Sequence, residues 1–328
     1  MTDLFRAMRP HLLAGFALAV TMTGPAMAQE LFDQGAFADY TPDTQNGAEV
    51  FAAAGCAACH SIDGDDEILA GGTDFLVGRV GTLYAPNITA HPVHGIGDWS
   101  RADFLNAVMR GVSPDGDNYL GAVFPFPAYA RMRPEDALDL QAYLATLPQS
   151  DSPSRDHEIN FLGDALLRLF SRERPALTNP SDAQLARGEY LVEALGHCAD
   201  CHTPREGRFS ERLDHGDAFG GQSTVLGEFA GAINAERLGL FAPEAFVNGS
   251  MAEGLRLDGL PMTSTIMRRI ARATAELPHE DRVAMYAYLT GAPVDPGSVE
   301  ARAPDAAPVV ALAAASEPEP EAVPDLTG

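Results

Sequence analysis

The residues of this chain best suited to chemistry are its four cysteines. All of them fall in Cys-x-x-Cys-His units, Cys56-Ala57-Ala58-Cys59-His60 and Cys198-Ala199-Asp200-Cys201-His202. Two thiols at that spacing can add across the vinyl groups of a haem to give thioethers, and the histidine that follows is then held beneath the iron as an axial ligand. The pattern predicts two covalently bound haem c groups, attached through Cys56, Cys59, Cys198 and Cys201, with His60 and His202 as proximal ligands. A Cys₄ zinc site built from both pairs and a thioredoxin-like dithiol are the competing readings. Neither calls for a histidine after the second cysteine in both places, and neither segment has a βαβ context. The chemistry expected is one-electron transfer, carried by cofactor rather than by side chains.

Each iron also needs a second axial group or an open position. A methionine thioether favours ferrous iron and raises the potential. Beyond residue 28 the chain has six methionines, at 109, 132, 251, 262, 267 and 285. Met109 lies on an apolar helical stripe and Met285 inside a helix, so both read as core residues. In the second half, Gly259-Leu260-Pro261-Met262 is a loop ahead of the last helix, and Met262 is the expected ligand, with Met267 and Met251 as alternatives. In the first half the corresponding stretch, Val123 to Met132, holds one methionine, so Met132 is the expected ligand. The competing role for Met132 is a hydrophobic staple at the mouth of a helix. His91 and His94 are rival donors, and their plain reading is as surface-loop histidines.

The elements that position these residues repeat along the chain. Gly47-Ala48-Glu49-Val50-Phe51 and Gly55 precede the first motif; Gly188-Glu189-Tyr190-Leu191-Val192 and Gly196-His197 precede the second. Each half closes with Glu-Asp-x₅-Ala-Tyr-Leu, Glu135 to Leu144 and Glu280 to Leu289. From first cysteine to the Ala-Tyr-Leu of that phrase is 86 residues in one half and 89 in the other, which points to two copies of one module. The local patterns are helical. Glu49 to Ala54 reads as a helix ending at Gly55, and Ser100-Arg101-Ala102-Asp103 as a capping box before apolar Phe104, Leu105, Val108 and Met109, stopped by Gly111. Pro134 suits the first turn of a closing helix with inner stripe Leu138, Gln141, Ala142, Leu144 and Ala145; Leu277-Pro278-His279-Glu280 opens its counterpart, with Val283, Ala284, Ala287 and Tyr288 inward.

The fold class expected is all-α, two tandem cytochrome c-like haem domains at 42–149 and 181–295 joined by a connector at 150–180. Within the connector Ile159 to Phe170 reads as an amphipathic helix, and 303–328 as a disordered acidic Ala/Pro-rich tail.

Residues 1–28 read as a cleavable signal peptide. Arg6, Arg9 and His11 are basic, Leu12 to Val20 apolar, and Ala26-Met27-Ala28 a cleavage site after Ala28. The apolar run is too short to span, and no other long one exists, so no transmembrane segment is expected after cleavage. Periplasmic location follows, with membrane association only through a complex. The net charge of −24 over 328 residues argues against nucleic acid or anionic lipid as partner and suits steering toward a basic protein face.

Three phrases carry a more specific likeness: Leu83-Tyr84-Ala85-Pro86-Asn87-Ile88-Thr89, Gly95-Ile96-Gly97-Asp98-Trp99-Ser100, and Gly196-His197-Cys198 through Thr203-Pro204-Arg205. Over residues 44–292 the chain resembles the multihaem cytochrome c subunits of periplasmic bacterial dehydrogenases, of the alcohol and gluconate dehydrogenase type, and the cytochromes serving molybdenum hydroxylases. The resemblance implies a relay: a periplasmic or membrane-bound dehydrogenase as electron donor, and a quinone, oxidase or another cytochrome of the respiratory chain as acceptor. It also implies that Asn87 lies near a haem and that Trp99 packs by the macrocycle, with a plain core aromatic as the alternative for Trp99; Arg205, just after the second motif, reads either as the partner of a propionate or as a surface arginine. The second half has Gly231-Ala232-Ile233-Asn234-Ala235 where the first has Ala-Pro-Asn-Ile-Thr. Many relatives place methionine between the two prolines, where this chain has Phe126, and others have phenylalanine there with a methionine just before the closing helix, as at Met132. The alternative function is a dihaem enzyme of peroxidase or thiosulfate-oxidising type, which needs an open or weakly ligated iron and distal proton-transfer residues.

Overall fold

Asp43 opens the first helix, accepting from the backbone N–H of Gln45 (2.9 Å) and Asn46 (3.3 Å), as an N-cap carboxylate does. This helix, α1 (Thr44–Ala54), stops at Gly55, whose backbone is left-handed, and the haem-motif turn α2 (Cys56–His60) follows at once. A hairpin of β1 (Asp74–Val77) and β2 (Gly81–Tyr84) comes next. The predicted capping box is formed: Ser100 and Asp103 bond reciprocally and start α3 (Arg101–Leu105), which continues as a wider π-helical turn, Asn106–Arg110, ended by Gly111. The short α4 (Phe126–Tyr129) leads to α5 (Pro134–Leu144), which has Pro134 at its first turn. A two-residue strand β3 (Glu158–Ile159) joins the edge of β2.

The second half repeats this order. Asp182 caps α6 (Ala183–Glu189), which runs into a π-helical stretch, Tyr190–Leu195, and then α7 (Ala199–His202). A hairpin of β4 (Gln222–Val225) and β5 (Glu228–Ala230) follows, then α8 (Ala235–Leu238) and a π-helical segment, Ala245–Ser250. Ser264 caps α9 (Thr265–Ala275), and α10 (His279–Thr290) closes the half at left-handed Gly291.

This computed structural model describes residues 30–61, 68–77, 81–121, 123–159, 174–206, 213–225 and 228–301. The expected signal peptide, the expected acidic tail and all but the first residue of the expected 159–170 helix lie outside them. Ile159 itself is not helical; it pairs with Gly81 in β3. The chain is largely helical, as the cysteine and capping patterns predict, but two small hairpins stand beside the helices. The inner face of α5 also differs: Ala137 and Leu140 are buried with Leu138 and Leu144, and Ala145 is exposed.

Two helix crossings organise the core, and each depends on a glycine. A Cβ on Gly47 of α1 would lie 2.1 Å from the carbonyl oxygen of Asp139 on α5. A Cβ on Gly188 of α6 would lie 2.0 Å from that of Ala284 on α10. Buried carboxylates lock the same crossings. Asp139 accepts from Tyr40 Oη (2.8 Å), the Asp43 N–H (2.7 Å) and Asn46 Nδ2 (2.7 Å); burial and this carboxylate push the Tyr40 phenol up to about 12. Asp281 receives the Arg187 guanidinium through two bonds, 2.9 and 2.5 Å. The halves also share contacts. Tyr190 Oη donates to Asp136 (2.5 Å) and accepts from the Arg133 N–H (3.0 Å), while Arg131 reaches the Glu193 carbonyl and Arg269 the Ala58 carbonyl (3.0 Å). The segment before α1 is packed too, with Asn106 bonding both backbone groups of Phe32 (2.8 and 3.0 Å).

Gly47→Ala and Gly188→Ala should each destabilise the holoprotein by about 1–3 kcal/mol or more, because the colliding atom is backbone and cannot turn away. Gly249→Ala, whose Cβ would have only ordinary contacts at 3.8 Å and beyond, should stay within about 0.5 kcal/mol of wild type. Guanidinium unfolding followed by helical circular dichroism checks this; equal stability of all three variants would mean the crossings are looser than described.

Candidate functional site

The one-turn helices α2 and α7 place two sulfurs three residues apart, so both emerge on one side of a turn with the histidine following. Cys56, Cys59, Cys198 and Cys201 are all free of disulfides. Burial pushes the thiols of Cys56 and Cys198 up to about 12 and that of Cys59 to about 11, so these three are protonated thiols at neutral pH. Among the described residues no three His, Cys, Asp or Glu side chains are grouped to hold a metal ion. The geometry therefore gives no Cys₄ cluster; it gives two separate Cys-Cys-His turns.

The histidines are held in matching ways. His60 Nδ1 lies 2.8 Å from the carbonyl oxygen of Pro86, and His202 Nδ1 lies 2.6 Å from that of Gly231. A carbonyl only accepts, so each Nδ1 carries the proton and each Nε2 keeps its lone pair. Burial lowers the pKa of both rings, partly offset by the same carbonyls. Each imidazole is thus a neutral ring with Nε2 ready to ligate, oriented by its second nitrogen as metal-bound histidines are.

The loops that deliver those carbonyls match bond for bond. Gly71 N–H donates to the His60 carbonyl (2.8 Å) and Gly221 N–H to that of His202 (2.7 Å). Ile88 N–H donates to Leu69 (3.0 Å) and Ile233 N–H to Phe219 (2.9 Å). Gly231-Ala232-Ile233 is therefore the structural counterpart of Pro86-Asn87-Ile88. Asn87, which the resemblance implies lies near a haem, follows Pro86 and has its side-chain amide fully engaged. Its Nδ2 donates to the carbonyls of Ser150 (3.0 Å) and Ser152 (2.8 Å), and its Oδ1 accepts from the N–H and hydroxyl of Thr89 (2.9 and 2.8 Å). It pins the connector to the loop and leaves the backbone of Pro86 to hold the ring. Sequence reasoning missed Pro86 and Gly231 because a backbone acceptor has no residue type to recognise.

The candidate sixth ligands differ in setting. Met132, in the turn between α4 and α5, is buried, and its N–H bonds to the Tyr129 carbonyl (2.9 Å). Met262 is half-buried in the loop before α9, its N–H on the Gly254 carbonyl (2.9 Å) and its own carbonyl held by Arg268 (2.8 Å). Of its rivals, Met267 packs against the core from the first turn of α9, and Met251 is buried with its carbonyl accepting from Thr274 (2.6 Å). Met109 and Met285 are core residues. His91 and His94 stack on each other, ring centres 5.3 Å apart, and His91 Nδ1 accepts from the His94 N–H (3.0 Å). Phe126 lies against Gly111 and Gly121 in an aromatic group with Phe124, which also touches Tyr119 and Tyr129. Trp99 packs on the core and its carbonyl accepts from Gln141 (3.2 Å). Arg205 donates to the Asp200 carbonyl (2.8 Å) and the Asp200 carboxylate pairs with buried Arg174, so both arginines brace the second motif.

Two pairs of thiols outside any disulfide, and two rings with the Nε2 lone pair left to ligate, suit covalent haem attachment, and comparison with known proteins agrees. The Cytochrome c family matches residues 44–148. A diheme c-type cytochrome of Cereibacter sphaeroides is 34% identical over 311 residues, covering 87% of this chain and 99% of that protein. The cytochrome c subunit of a quinone-dependent alcohol dehydrogenase from Gluconacetobacter polyoxogenes is 33% identical over 65% of this chain, and that of gluconate 2-dehydrogenase from Pantoea cypripedii 38% over 54%. The matches span 45% and 43% of those two subunits, so this chain corresponds to less than half of each. The chain belongs to the family of the diheme c-type cytochromes and carries two covalently bound haem c groups.

Proposed function

We propose that this chain is an exported dihaem cytochrome, built of two tandem cytochrome c-like domains at 42–149 and 181–295, that relays electrons from a partner dehydrogenase toward the respiratory chain. The observation that carries the reading is the pair of matched imidazoles, each fixed by a backbone carbonyl at Nδ1 with Nε2 left to ligate. The names of the relatives, cytochrome subunits of alcohol and gluconate dehydrogenases, supply the class of donor. The acceptor in this reading is a quinone, an oxidase or another cytochrome, reached in the periplasm after cleavage behind Ala28.

Cys56 and Cys59, and Cys198 and Cys201, would hold the haems through thioethers; His60 and His202 would be the proximal ligands, Met132 and Met262 the distal ones. The bound haem supplies reversible one-electron chemistry at iron. The chain's residues do the rest. The Pro86 and Gly231 carbonyls stop the imidazoles from rotating and raise their basicity. Leu69, Ile96, Phe104 and Leu138 in one half, and Leu191, Leu195, Phe246 and Val283 in the other, are buried and keep water away, which favours the less charged ferrous state. With a net charge of −24, the chain suits steering onto a basic partner face, an effect that fades as salt rises.

A redox titration of the mature protein, followed in the far-red methionine–iron band, should reveal two positive-potential centres that both carry the band. Met262→Leu and Met132→Leu should each remove it from one centre and lower that potential alone. Leucine nearly conserves the volume of methionine and costs under about 1.5 kcal/mol of packing, so the fold survives to be measured. A centre that lacks the band in wild type and binds added cyanide would defeat the relay reading and put the dihaem enzyme in its place.

Attachment is tested separately. The double variant Cys56→Ala/Cys59→Ala should keep one covalent haem by mass and pyridine haemochrome assay, and Cys198→Ala/Cys201→Ala should keep the other. Full haem content in either variant would show that the thiols removed are not the attachment points.

A further inference from the structure

The two attachment segments approach each other at one seam, and the seam is not symmetric. The residue ahead of each first cysteine has a left-handed backbone, Gly55 with φ 63° and His197 with φ 40°. Each is met by a side chain from a helix of the other half. Ile270 of α9 lies 2.5 Å from where a Cβ on Gly55 would sit. Tyr129 of α4 meets the His197 imidazole edge-on, ring centres 5.7 Å apart at 81°. Glycine adopts that backbone freely, whereas histidine does so against steric resistance that the surroundings must overcome. The copy that keeps a ring there gains the contact with Tyr129, and the copy with glycine has none.

Tyr129 also reaches the first motif. It is 7% exposed, and its hydroxyl donates to the carbonyl of Ala54 at 3.2 Å, two residues before Cys56. Beside it, a Cβ on Gly196 would lie 3.6 Å from the Ala53 carbonyl, so the two chain segments are in contact. Burial holds the Tyr129 phenol well above the ordinary tyrosine range. Burial and then Arg174 bring His197 down to about 4. Both rings are neutral at physiological pH and keep their protons.

We propose that Tyr129 and His197 form the bridge through which the two haems exchange an electron. One ring joins the chain entering the first attachment turn, by its hydroxyl, to the residue bonded directly to Cys198. The inference rests on the electron-relay reading above. One iron passes from ferrous to ferric as the other passes from ferric to ferrous; one electron moves, and no bond or proton changes place. Packed and hydrogen-bonded atoms couple two centres better than a gap does, and this pair supplies a ring contact and a hydrogen bond between the two attachment segments.

The test is the intramolecular exchange rate in half-reduced mature holoprotein, read from exchange broadening of the separately resolved haem methyl NMR signals over a dilution series. Tyr129→Leu should slow exchange about tenfold, a modest loss for displaced positioning groups. Tyr129→Phe keeps the ring against His197 but loses the hydroxyl bond to Ala54, and should slow exchange by less than Tyr129→Leu does. His197→Gly, which suits the left-handed backbone and matches the first half, should slow exchange as Tyr129→Leu does. The double variant Tyr129→Leu/His197→Gly should be no slower than either single one, since the rings act as a unit. Midpoint potentials and spectra of both haems should stay at wild-type values throughout, which a merely structural role would not preserve alongside a changed rate. If Tyr129→Leu loses haem, His197→Gly decides alone. Wild-type exchange in His197→Gly, with both midpoints unchanged, overturns the bridge. Failure of the relay reading looks different: a haem that does not titrate, or that binds added ligand.

Discussion

A backbone carbonyl 2.8 Å from His60 Nδ1, and another 2.6 Å from His202 Nδ1, set the terms for the rest of the structure. An imidazole next to a Cys-x-x-Cys turn can rotate, and either nitrogen can carry its proton, until something fixes one of them. Side chains that could do so bring their own freedom; a peptide carbonyl brings none, provided its loop is anchored. The anchoring explains much of the architecture. In the first half the hairpin β1–β2 leads the chain out and back to Pro86, and Asn87 ties it to Ser150 and Ser152 of the connector. In the second, β4–β5 returns the chain to Gly231, and Asn234 starts α8 by accepting from the Arg237 N–H (3.0 Å). The acceptor is the same and the anchor differs, which is why the sequence phrase around it diverges between the copies.

An acidic chain meets a second constraint in closing two helix crossings, because some of its carboxylates are buried there. A buried carboxylate is tolerated only with its lone pairs satisfied. Asp139 manages this without a cation, through a phenol, an amide and a backbone N–H. Glu189 accepts from the Thr178 N–H and hydroxyl, both at 2.7 Å, and from the Asn179 N–H at 2.8 Å. Asp281 uses Arg187, and Asp136 uses Arg133 together with Tyr190 of the other half. The acidic residues in the crossings thus help fix which helices meet.

Features that depend on a residue's own chemistry were legible in the sequence. The attachment turns, the Ser100–Asp103 box, Pro134 at a first turn, and the glycine stops at 55 and 111 all appear where their side chains or backbone freedom require. The hairpins were not legible, because they are short and serve to carry a carbonyl rather than to bury an alternating face. α9 is not among the expected helices, although Ser264 is a legible cap whose hydroxyl accepts from the Met267 N–H (3.0 Å); its arginine-rich sequence offers no long apolar run. Asn87 makes four side-chain bonds at once, two to the connector carbonyls of Ser150 and Ser152 and two from Thr89, a role that its residue type alone does not announce.

The repeat gives each half the same parts, and the contacts between halves show why neither copy is free to drift alone. α9 of the second half lies on the first attachment turn through Arg269 and Ile270, and α4 with its following turn lies on the second through Tyr129 and Arg131. Each half therefore supplies a wall for the other's cofactor turn, so a change that loosens one closing region is felt at the opposite attachment site. Such reciprocal packing needs only apolar fill and a few hydrogen bonds, and Ile270 against Gly55 meets that need. Tyr129 against strained His197 exceeds it. Where two copies solve one packing problem, and one keeps a costlier solution, the excess belongs to something packing alone does not ask for. In a chain with two redox centres, the contact between their attachment turns is where it would be used.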